Sequence, residues 1–562
     1  MPKAILATLA LLPVPLLATA GRTEPVAAAT ADVRASAEGL LRSAYPADGP
    51  GAAAIIMKGG QVVYAGGRGL SDLALRRPIT TASLFKLGSI TKQFTAAVVL
   101  QLVAEGRISL DDPIARFFPD FPLPTSRATV RQLLNHSSGV QDYSKIPGWM
   151  TRAGDRAWTT AELVAVVRDT PAKSQPGEAW EYNNAGYTML GAIVEKVTGR
   201  PWHEAVEQRI ARPLGLTSVQ YVFRAESQPA FVRGYTLADG RPVPAHGVHM
   251  SLAHAAGGLV GTVGDLGRWA QALHHGRVVG QAQYAEMTRP ARLKNGQTRP
   301  YGFGLRLQRF LDQTVYMHGG AGAGLDAESI YIPSEDLFVA VLSNSDSPAA
   351  EPGIVARRLA ALAMGTPFPT FAQREAAPGT LEPLFGTYAA EGLPVMRFFG
   401  RAGRPFLAYG DQELEAIPAG DDRFLFGPER LMWIAFTRPS AGAPLLELHE
   451  PETARPWRAV RTGAVPPPIT ISPAVLKSYV GTYRTEVPTV TVELDTDGGL
   501  TLRLGDGRPV LMRPISDTEF RLDAERVRVV FQPEGGRVDK VTLYRGAREL
   551  HGVRIQAADV QP

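Results

Sequence analysis

The chain has 562 residues, 45% of them hydrophobic and 20% charged, with a formal net charge of +5 and no cysteine. That length exceeds one domain, and that balance excludes both disorder and collagen-like repeats. Lysines and arginines are interspersed with almost as many acids, so no basic run addresses nucleic acid, and disulfides, thiol nucleophiles and cysteine-linked lipids are excluded.

In chain order, Lys3 precedes an apolar run over residues 4–17, and Ala18-Thr19-Ala20 follows as a small-x-small cleavage pattern. Residues 1–20 therefore read as a secretory signal and 21–35 as a loose leader, with a secreted or periplasmic location. Pro13, Pro15 and the shortness of the run argue against a membrane span in the mature chain. AAAIIMKGGQVVYAGG (52–67) places two β-rich runs around Gly59-Gly60, a hairpin pattern. From there to 364 helical and strand patterns alternate. Periodicity predicts helices over 89–105, 160–169, 184–198, 203–212, 264–275 and 352–363, and strands over 301–308, 314–318, 327–332 and 337–343. Thr159-x-x-Glu162 has the form of a capping box, and Gly106 and Gly199 stand where a helix C-terminus favours glycine.

Beyond 364 the pattern changes to short β runs. Residues 365–380 and 464–473 are Pro-rich linkers, and the segments after them, 381–463 and 474–562, resemble each other. LFGTYAAE (384–391) matches YVGTYRTE (479–486), DRFLFGPERLMWIAF (422–436) matches TEFRLDAERVRVVF (518–531), and WRAVR answers HGVRI. This duplication predicts two separate small antiparallel β-barrels, because two copies are too few for a solenoid.

Chemistry concentrates near residue 83, where SLFK and SITK are two copies of Ser-x-x-Lys. Residues 83–87 read as a strand, which points Ser83 and Lys86 to opposite sides. After Gly88 the pattern is helical, with an apolar stripe through Phe94, Ala97, Val98, Leu100 and Leu102. Ser89 then sits on the first turn and Lys92 one turn on, on the same face. Burial there lowers an ammonium's pKa toward that of a useful base. Downstream, Tyr182-Asn183-Asn184 precedes a helix. The tyrosine can shuttle protons and the Asn184 amide can bond both the lysine and a substrate carbonyl. TVYMHGGAGAG (314–324) reads as an edge strand whose glycines let a substrate backbone lie alongside, and a peptide N–H there can join that of Ser89 as an oxyanion hole.

Ser89-x-x-Lys92, Tyr182-x-Asn184 and His318-x-Gly320, in this order, resemble the penicillin-recognising serine hydrolases, in particular their class C β-lactamase-related branch. GRISLDDPIARFFP (106–119), TVRQLLNHSSGV (129–140), GGLVGTVGDL (257–266) and YGFGL (301–305) carry the same likeness, which covers about 50–364. The resemblance implies a multidomain α+β protein. Its β-lactamase/transpeptidase-like catalytic domain (36–364), an antiparallel sheet flanked by helices, precedes two lipocalin-like barrels. It implies Ser89 as nucleophile, Lys92 as general base and Tyr182 as proton shuttle. Asn184 is the orienter, His318, Gly319 and Gly320 line the cleft, and the N–H groups of Ser89 and Ala321 form the oxyanion hole.

One departure matters. Lactamases and carboxypeptidases carry Lys-Thr-Gly or Lys-Ser-Gly where this chain has His318-Gly319-Gly320, which supplies neither a fixed cation nor a hydroxyl. The expectation is a hydrolase working through an acyl-enzyme on small or D-amino-acid-containing peptides, in the manner of D-aminopeptidases. The alternatives are a carboxylesterase or weak β-lactamase with the same machinery, or a non-catalytic scaffold. The acid that an aminopeptidase needs for the substrate ammonium is not evident; HEPETARP (449–456) reads as a solvated turn. His274-His275-Gly276 ends an amphipathic helix, and His136 reads as a buried loop-fixing residue. No metal spacing such as HExxH occurs, so no cofactor or metal is expected. The expected partner is a small-molecule or peptide substrate.

Overall fold

A computed structural model of the chain describes residues 24–555 apart from 147, 226 and short gaps after 376 (377–378, 402, 411, 428–429, 440–441, 468, 486–488, 497, 506, 523–526, 535–536 and 546–547). Residues 1–20, read as a secretory signal, lie outside the described residues. The chain divides into two units, Met1–Pro369 and Thr370–Pro562.

The first unit is built on a six-stranded antiparallel sheet. Its strands are β1 (Ala52–Lys58), β2 (Gln61–Arg68), β3 (Arg306–Phe310), β4 (Gln313–Gly322), β5 (Leu325–Ile332) and β6 (Leu337–Ser343), in the order β3-β4-β5-β6-β1-β2. β1 is AAAIIMK, buried almost throughout, and its alternation divides it between two cores. Ala53, Ile55 and Met57 pack into the helical side of the unit. Ala52, Ala54 and Ile56 pack on the other face against α1 (Glu24–Ala44) and α6 (Pro352–Ala363). β6 divides the same way, Phe338, Ala340 and Leu342 to one side and Leu337, Val339 and Val341 to the other. A strand apolar at every position is what a sheet covered on both faces requires. The helix α1 begins at Glu24, so much of the stretch expected as a loose leader is helical.

On the helical side, α2 (Thr91–Ala104), α3 (Thr160–Asp169), α4 (Asn184–Thr198) and α5 (Val263–His274) follow the predicted spans closely. α3 carries the capping box from Thr159 to Glu162, and Gly199 closes α4 in the left-handed conformation. The span expected as a helix over 203–212 is an α-turn, Trp202–Val206, that widens into π-type turns over Glu207–Ala211. The predicted apolar stripe of α2 is incomplete as a description, because the helix is enclosed on every side. Thr91, Lys92, Gln93 and Thr95 are buried along with its apolar residues. Each of these polar groups is satisfied: Thr95 donates to Ala255 O at 2.7 Å, and Gln93 accepts from the Trp269 indole at 3.0 Å.

In the second unit, nine strands between residues 386 and 463 form a nearly closed sheet. Its two edges, Gln412–Glu415 and Ile417–Pro418, adjoin in the chain. Eight strands between 481 and 554 form a closed barrel. Each interior is filled by its own apolar cluster, Phe424 and Phe520 at corresponding places. The repeated Gly-Thr-Tyr has one role in both copies. Tyr388 and Tyr483 are fully buried and donate to the carbonyl four residues earlier, Leu384 at 2.6 Å and Tyr479 at 2.8 Å. Arg461 and Arg554 then bind neighbouring carbonyls, Phe385 and Val480, across the glycine, where a Cβ would meet the guanidinium. Replacing either tyrosine by phenylalanine removes a buried hydrogen bond and leaves a carbonyl short of a donor. Tyr388→Phe and Tyr483→Phe should each lower stability by ~1 kcal/mol, read as a downward shift of the barrel transition in calorimetric unfolding of the full chain.

Candidate active site

Gly88 opens the turn Gly88–Ile90 that leads into α2 at Thr91, and it takes φ +51°, in the left-handed region. Ser89 follows on that turn, partly exposed, and Lys92 lies one turn on with its side chain wholly buried. The ammonium group meets three oxygens: Ser89 Oγ at 3.0 Å, Asn184 Oδ1 at 2.9 Å and the Ala256 carbonyl at 2.9 Å. Burial pulls the Lys92 pKa down to about 7, Asp142 pulling against this and Arg306 with it. Two of the three oxygens can only accept. The serine hydroxyl alone can give a proton back, so a neutral Lys92 donates to Asn184 and Ala256 and turns its lone pair to Ser89.

Asn184 is fixed from several directions. Asn183 caps α4, its Oδ1 accepting from Gly186 N at 2.8 Å, which makes Asn184 the first helical residue. The buried Asp142 accepts the Asn184 N–H at 2.8 Å through one oxygen and the Ser144 N–H and hydroxyl at 2.9 and 2.7 Å through the other. Ser144 Oγ in turn receives the Asn184 amide at 3.4 Å, leaving Oδ1 toward Lys92. The sequence reading missed Asp142. Its local signal was present, since Asp-x-Ser in QDYSK is an Asx-turn pattern, but its distant partner was not readable. His136, at φ +66°, accepts the Asn183 N–H at 3.1 Å and packs on Tyr182, the loop-fixing role expected of it.

Tyr182 stands over the lysine, its ring centroid 4.8 Å from Nζ. Its hydroxyl is buried and has no partner of full hydrogen-bond geometry. Burial raises its pKa, opposed by the nearby Ser89 hydroxyl and by Arg306. The ring is held among His136, Tyr301 and His318, with centroids 4.5, 6.1 and 6.0 Å away.

β4 closes the site. A Cβ on Gly320 would lie 2.2 Å from Leu87 O, and one on Gly88 would lie 3.0 Å from Gly320 Cα and 3.2 Å from Ala321 N. Backbone therefore rests on backbone, the turn at Gly88 lying against Gly320 and Ala321. Pairing of β3 with β4 stops at Arg306 opposite Met317, so residues 318–322 keep one strand edge open. That edge borders a cleft of about 1140 Å³ lined by Ser89, Tyr182, Asn184, Gly319, Gly320 and Ala321.

His318 is corrected. It was expected to line the cleft, but its side chain is completely buried on the helical side of β4. Nδ1 lies 2.7 Å from Gly319 O, which can only accept, so Nε2 is the acceptor of the Tyr301 hydroxyl at 2.9 Å. Burial, with Lys92 and Arg306 nearby, lowers its pKa to about 3, so the ring is neutral and forms the layer behind Tyr182. Ser83 is buried and its Oγ accepts Thr80 N at 3.0 Å, and Phe85–Lys86 form a two-residue strand against Leu259–Gly261. Lys86 nevertheless reaches the cleft wall, which the sequence reading did not foresee. His274 ends α5 stacked on Tyr331 at 3.8 Å, and residues 449–456 belong to the other unit.

A serine bonded to a buried low-pKa lysine, under an open glycine-rich strand edge, defines a serine hydrolase of the Ser-x-x-Lys kind. The Beta-lactamase family profile matches residues 39–364, and the chain belongs to that family. It is 28% identical over 540 residues to a D-aminopeptidase of Gluconobacter oxydans (strain 621H), covering 89% of this chain and 95% of that one. Among solved structures it is similar to the octameric penicillin-binding protein homologue from Pyrococcus abyssi, with TM-score 0.52 and 26% identity over 78% of this chain and 100% of the other. It is likewise similar to the D-amino acid amidase from Ochrobactrum anthropi SV3 complexed with D-phenylalanine, with TM-score 0.51 and 27% identity over 60% and 98%.

The contact of Gly320 with Leu87 leaves no room for a side chain. Gly320→Val should force β4 off the turn before α2 and lower hydrolytic kcat by ~100-fold or more. Circular dichroism and thermal unfolding of the variant would separate this from loss of fold.

Proposed function

We propose that this chain cleaves amide bonds of small or D-amino-acid-containing peptides through an acyl-enzyme on Ser89, in the manner of its D-aminopeptidase relatives. The observation that carries the reading is the wholly buried Lys92, hydrogen-bonded to Ser89 and lowered to a pKa of about 7. Ser89 Oγ attacks the substrate carbonyl carbon and its proton passes to Lys92 Nζ. The N–H groups of Ser89 and Ala321 receive the oxyanion. The proton gained by Lys92 is relayed through the Tyr182 hydroxyl to the leaving nitrogen, and the C–N bond breaks to leave the Ser89 ester. Water then enters by the reverse path, giving up its proton through the same groups as the ester opens. We read residues 1–20 as an export signal on the Lys3, apolar-run and Ala18-Thr19-Ala20 pattern. No helix among the described residues is long and apolar enough to cross a membrane.

D-Alanyl-p-nitroanilide, a p-nitrophenyl ester and a chromogenic cephalosporin, each followed by turnover and by intact mass, test this. The wild type should turn over the anilide and gain an acyl mass, Ser89→Ala should do neither, and Ser83→Ala should stay within a few-fold. Absence of turnover and adduct with all three would leave the scaffold reading standing. Preference for the ester over the anilide would favour an esterase.

The pH dependence follows from Lys92. Its pKa in the folded chain lies well below the usual lysine value, so the base form dominates above about pH 7 and is lost by protonation below it. kcat/KM should fall about tenfold per pH unit below roughly pH 6. A pH profile flat between 5 and 9 would exclude Lys92 as the base.

A further inference from the structure

The cleft that holds Ser89 is charged differently at its two ends, and neither charge belongs to the Ser-Lys-Tyr constellation. At one end, Arg306 begins β3 opposite Met317. It is exposed, lines the cleft, and lies 5.9 Å from the Tyr182 ring centroid. Among the described residues no carboxylate lies within ion-pair distance of it. At the other end, Asp155 is an exposed acid in the cleft wall that ion-pairs with no described residue. Its place follows from the loops. Gly154 O accepts from His249 N at 3.4 Å, and a Cβ on Gly247 would lie 2.6 Å from Ala323 Cβ, so this loop rests on the far end of β4.

Three other charged groups in the cleft wall are less available. Arg357 is engaged with Gly353 O at 3.1 Å and Gln308 Oε1 at 3.2 Å. Burial raises the pKa of Glu328 to about 7 and that of Asp326 to about 6, moving both toward the neutral acid. Lys86 and the exposed Glu351 also line the cleft and are competitors to be tested.

A substrate chain lying along residues 318–322 occupies the strand position that β3 fills up to Arg306. It therefore cannot continue past Arg306, and the end that abuts a cation is best a carboxylate. From Met317 to Ala323 β4 covers roughly 20 Å at ~3.3 Å per residue. With the long Arg306 side chain reaching in at one end and Asp155 at the other, an extended peptide at ~3.5 Å per residue has room for about two residues. The oxyanion position at Ala321 lies between the two charges.

We propose that the cleft is a zwitterion-reading site of dipeptide length, in which Arg306 binds the carboxylate of the departing residue and Asp155 the ammonium of the residue transferred to Ser89. The proposal rests on the serine-hydrolase reading and adds the substrate class, a free dipeptide.

Three substrates test it at pH 8.5, above the Lys92 titration: D-alanyl-D-alanine, which carries both charges, D-alaninamide, which lacks the carboxylate, and N-acetyl-D-alanyl-D-alanine, which lacks the ammonium. Arg306→Gln should lower the preference for D-alanyl-D-alanine over D-alaninamide, as a ratio of kcat/KM, by ten- to a hundredfold, mostly through KM. Asp155→Asn should lower the preference for D-alanyl-D-alanine over its N-acetyl form by about tenfold. Equal losses on all substrates, unchanged ratios, a collapse of the first ratio in Lys86→Gln instead of Arg306→Gln, or a collapse of the second in Glu351→Gln instead of Asp155→Asn would overturn the assignment. Failure of the underlying reading would look different: wild-type chain with no turnover and no acyl adduct on any of the three.

Discussion

The site depends on one constraint, a lysine amine carried entirely out of water. An uncompensated buried ammonium costs several kcal/mol, and a protein meets that by pairing it, hydrogen-bonding it or leaving it neutral. Here all three occur. Asp142 favours the charged amine electrostatically, three oxygens lie within hydrogen-bond distance of it, and its pKa falls to about 7. The surrounding fold follows from this requirement. α2 must be enclosed, so it lies inside the larger core with even its threonines buried. Asn184 must present an oxygen rather than an amide N–H, so Asp142 and Ser144 hold its other polar groups. The interactions that make Lys92 tolerable in the core are the same ones that aim its lone pair.

A second constraint comes from backbone proximity. Two N–H groups can share one oxyanion only if two backbone segments touch, and side chains prevent that. Gly88, Gly320 and Gly304 remove them. Gly304 sits at φ +70°, with its Cβ position 2.8 Å from Lys92 O, and so presses the 301–304 loop onto α2 as closely as β4 presses onto the turn before it. The site is thus bounded on two sides by backbone rather than by adaptable side chains, which fixes distances at small cost in side-chain entropy.

What was legible in the sequence was what local pattern determines. The change from strand to helix at Gly88 separated SITK from SLFK, and the structure has Ser89 and Lys92 bonded while Ser83 caps a turn. Helix ends came from Thr159, Gly106 and Gly199, and the barrels from a repeat whose tyrosines and arginines make matching bonds. What escaped was decided by distant partners. Asp142 reads as a turn residue until α4 is placed beside it. Arg306 is one arginine among many until the pairing of β3 stops at it. The enclosure of α2 was hidden because its polar residues suggest an exposed face, yet each finds a buried partner.

His318 shows why face parity decides chemistry along β4. Successive side chains point to opposite sides of a strand. Position 320 turns toward Leu87 and position 319 toward Glu328, so position 318 shares the helical side with 320. There the imidazole is committed to Tyr301 and to its own backbone, and with a pKa near 3 it offers the cleft no charge. A lysine at that place would bring a cation up behind Tyr182. This chain has a neutral acceptor there instead, and a positive charge stands one strand away, on Arg306. Moving the cation from β4 to β3 lets it face the substrate edge directly while still lowering the pKa of Lys92. The same arginine thus lines the cleft and adds, after burial and against Asp142, to the lowering of the Lys92 pKa.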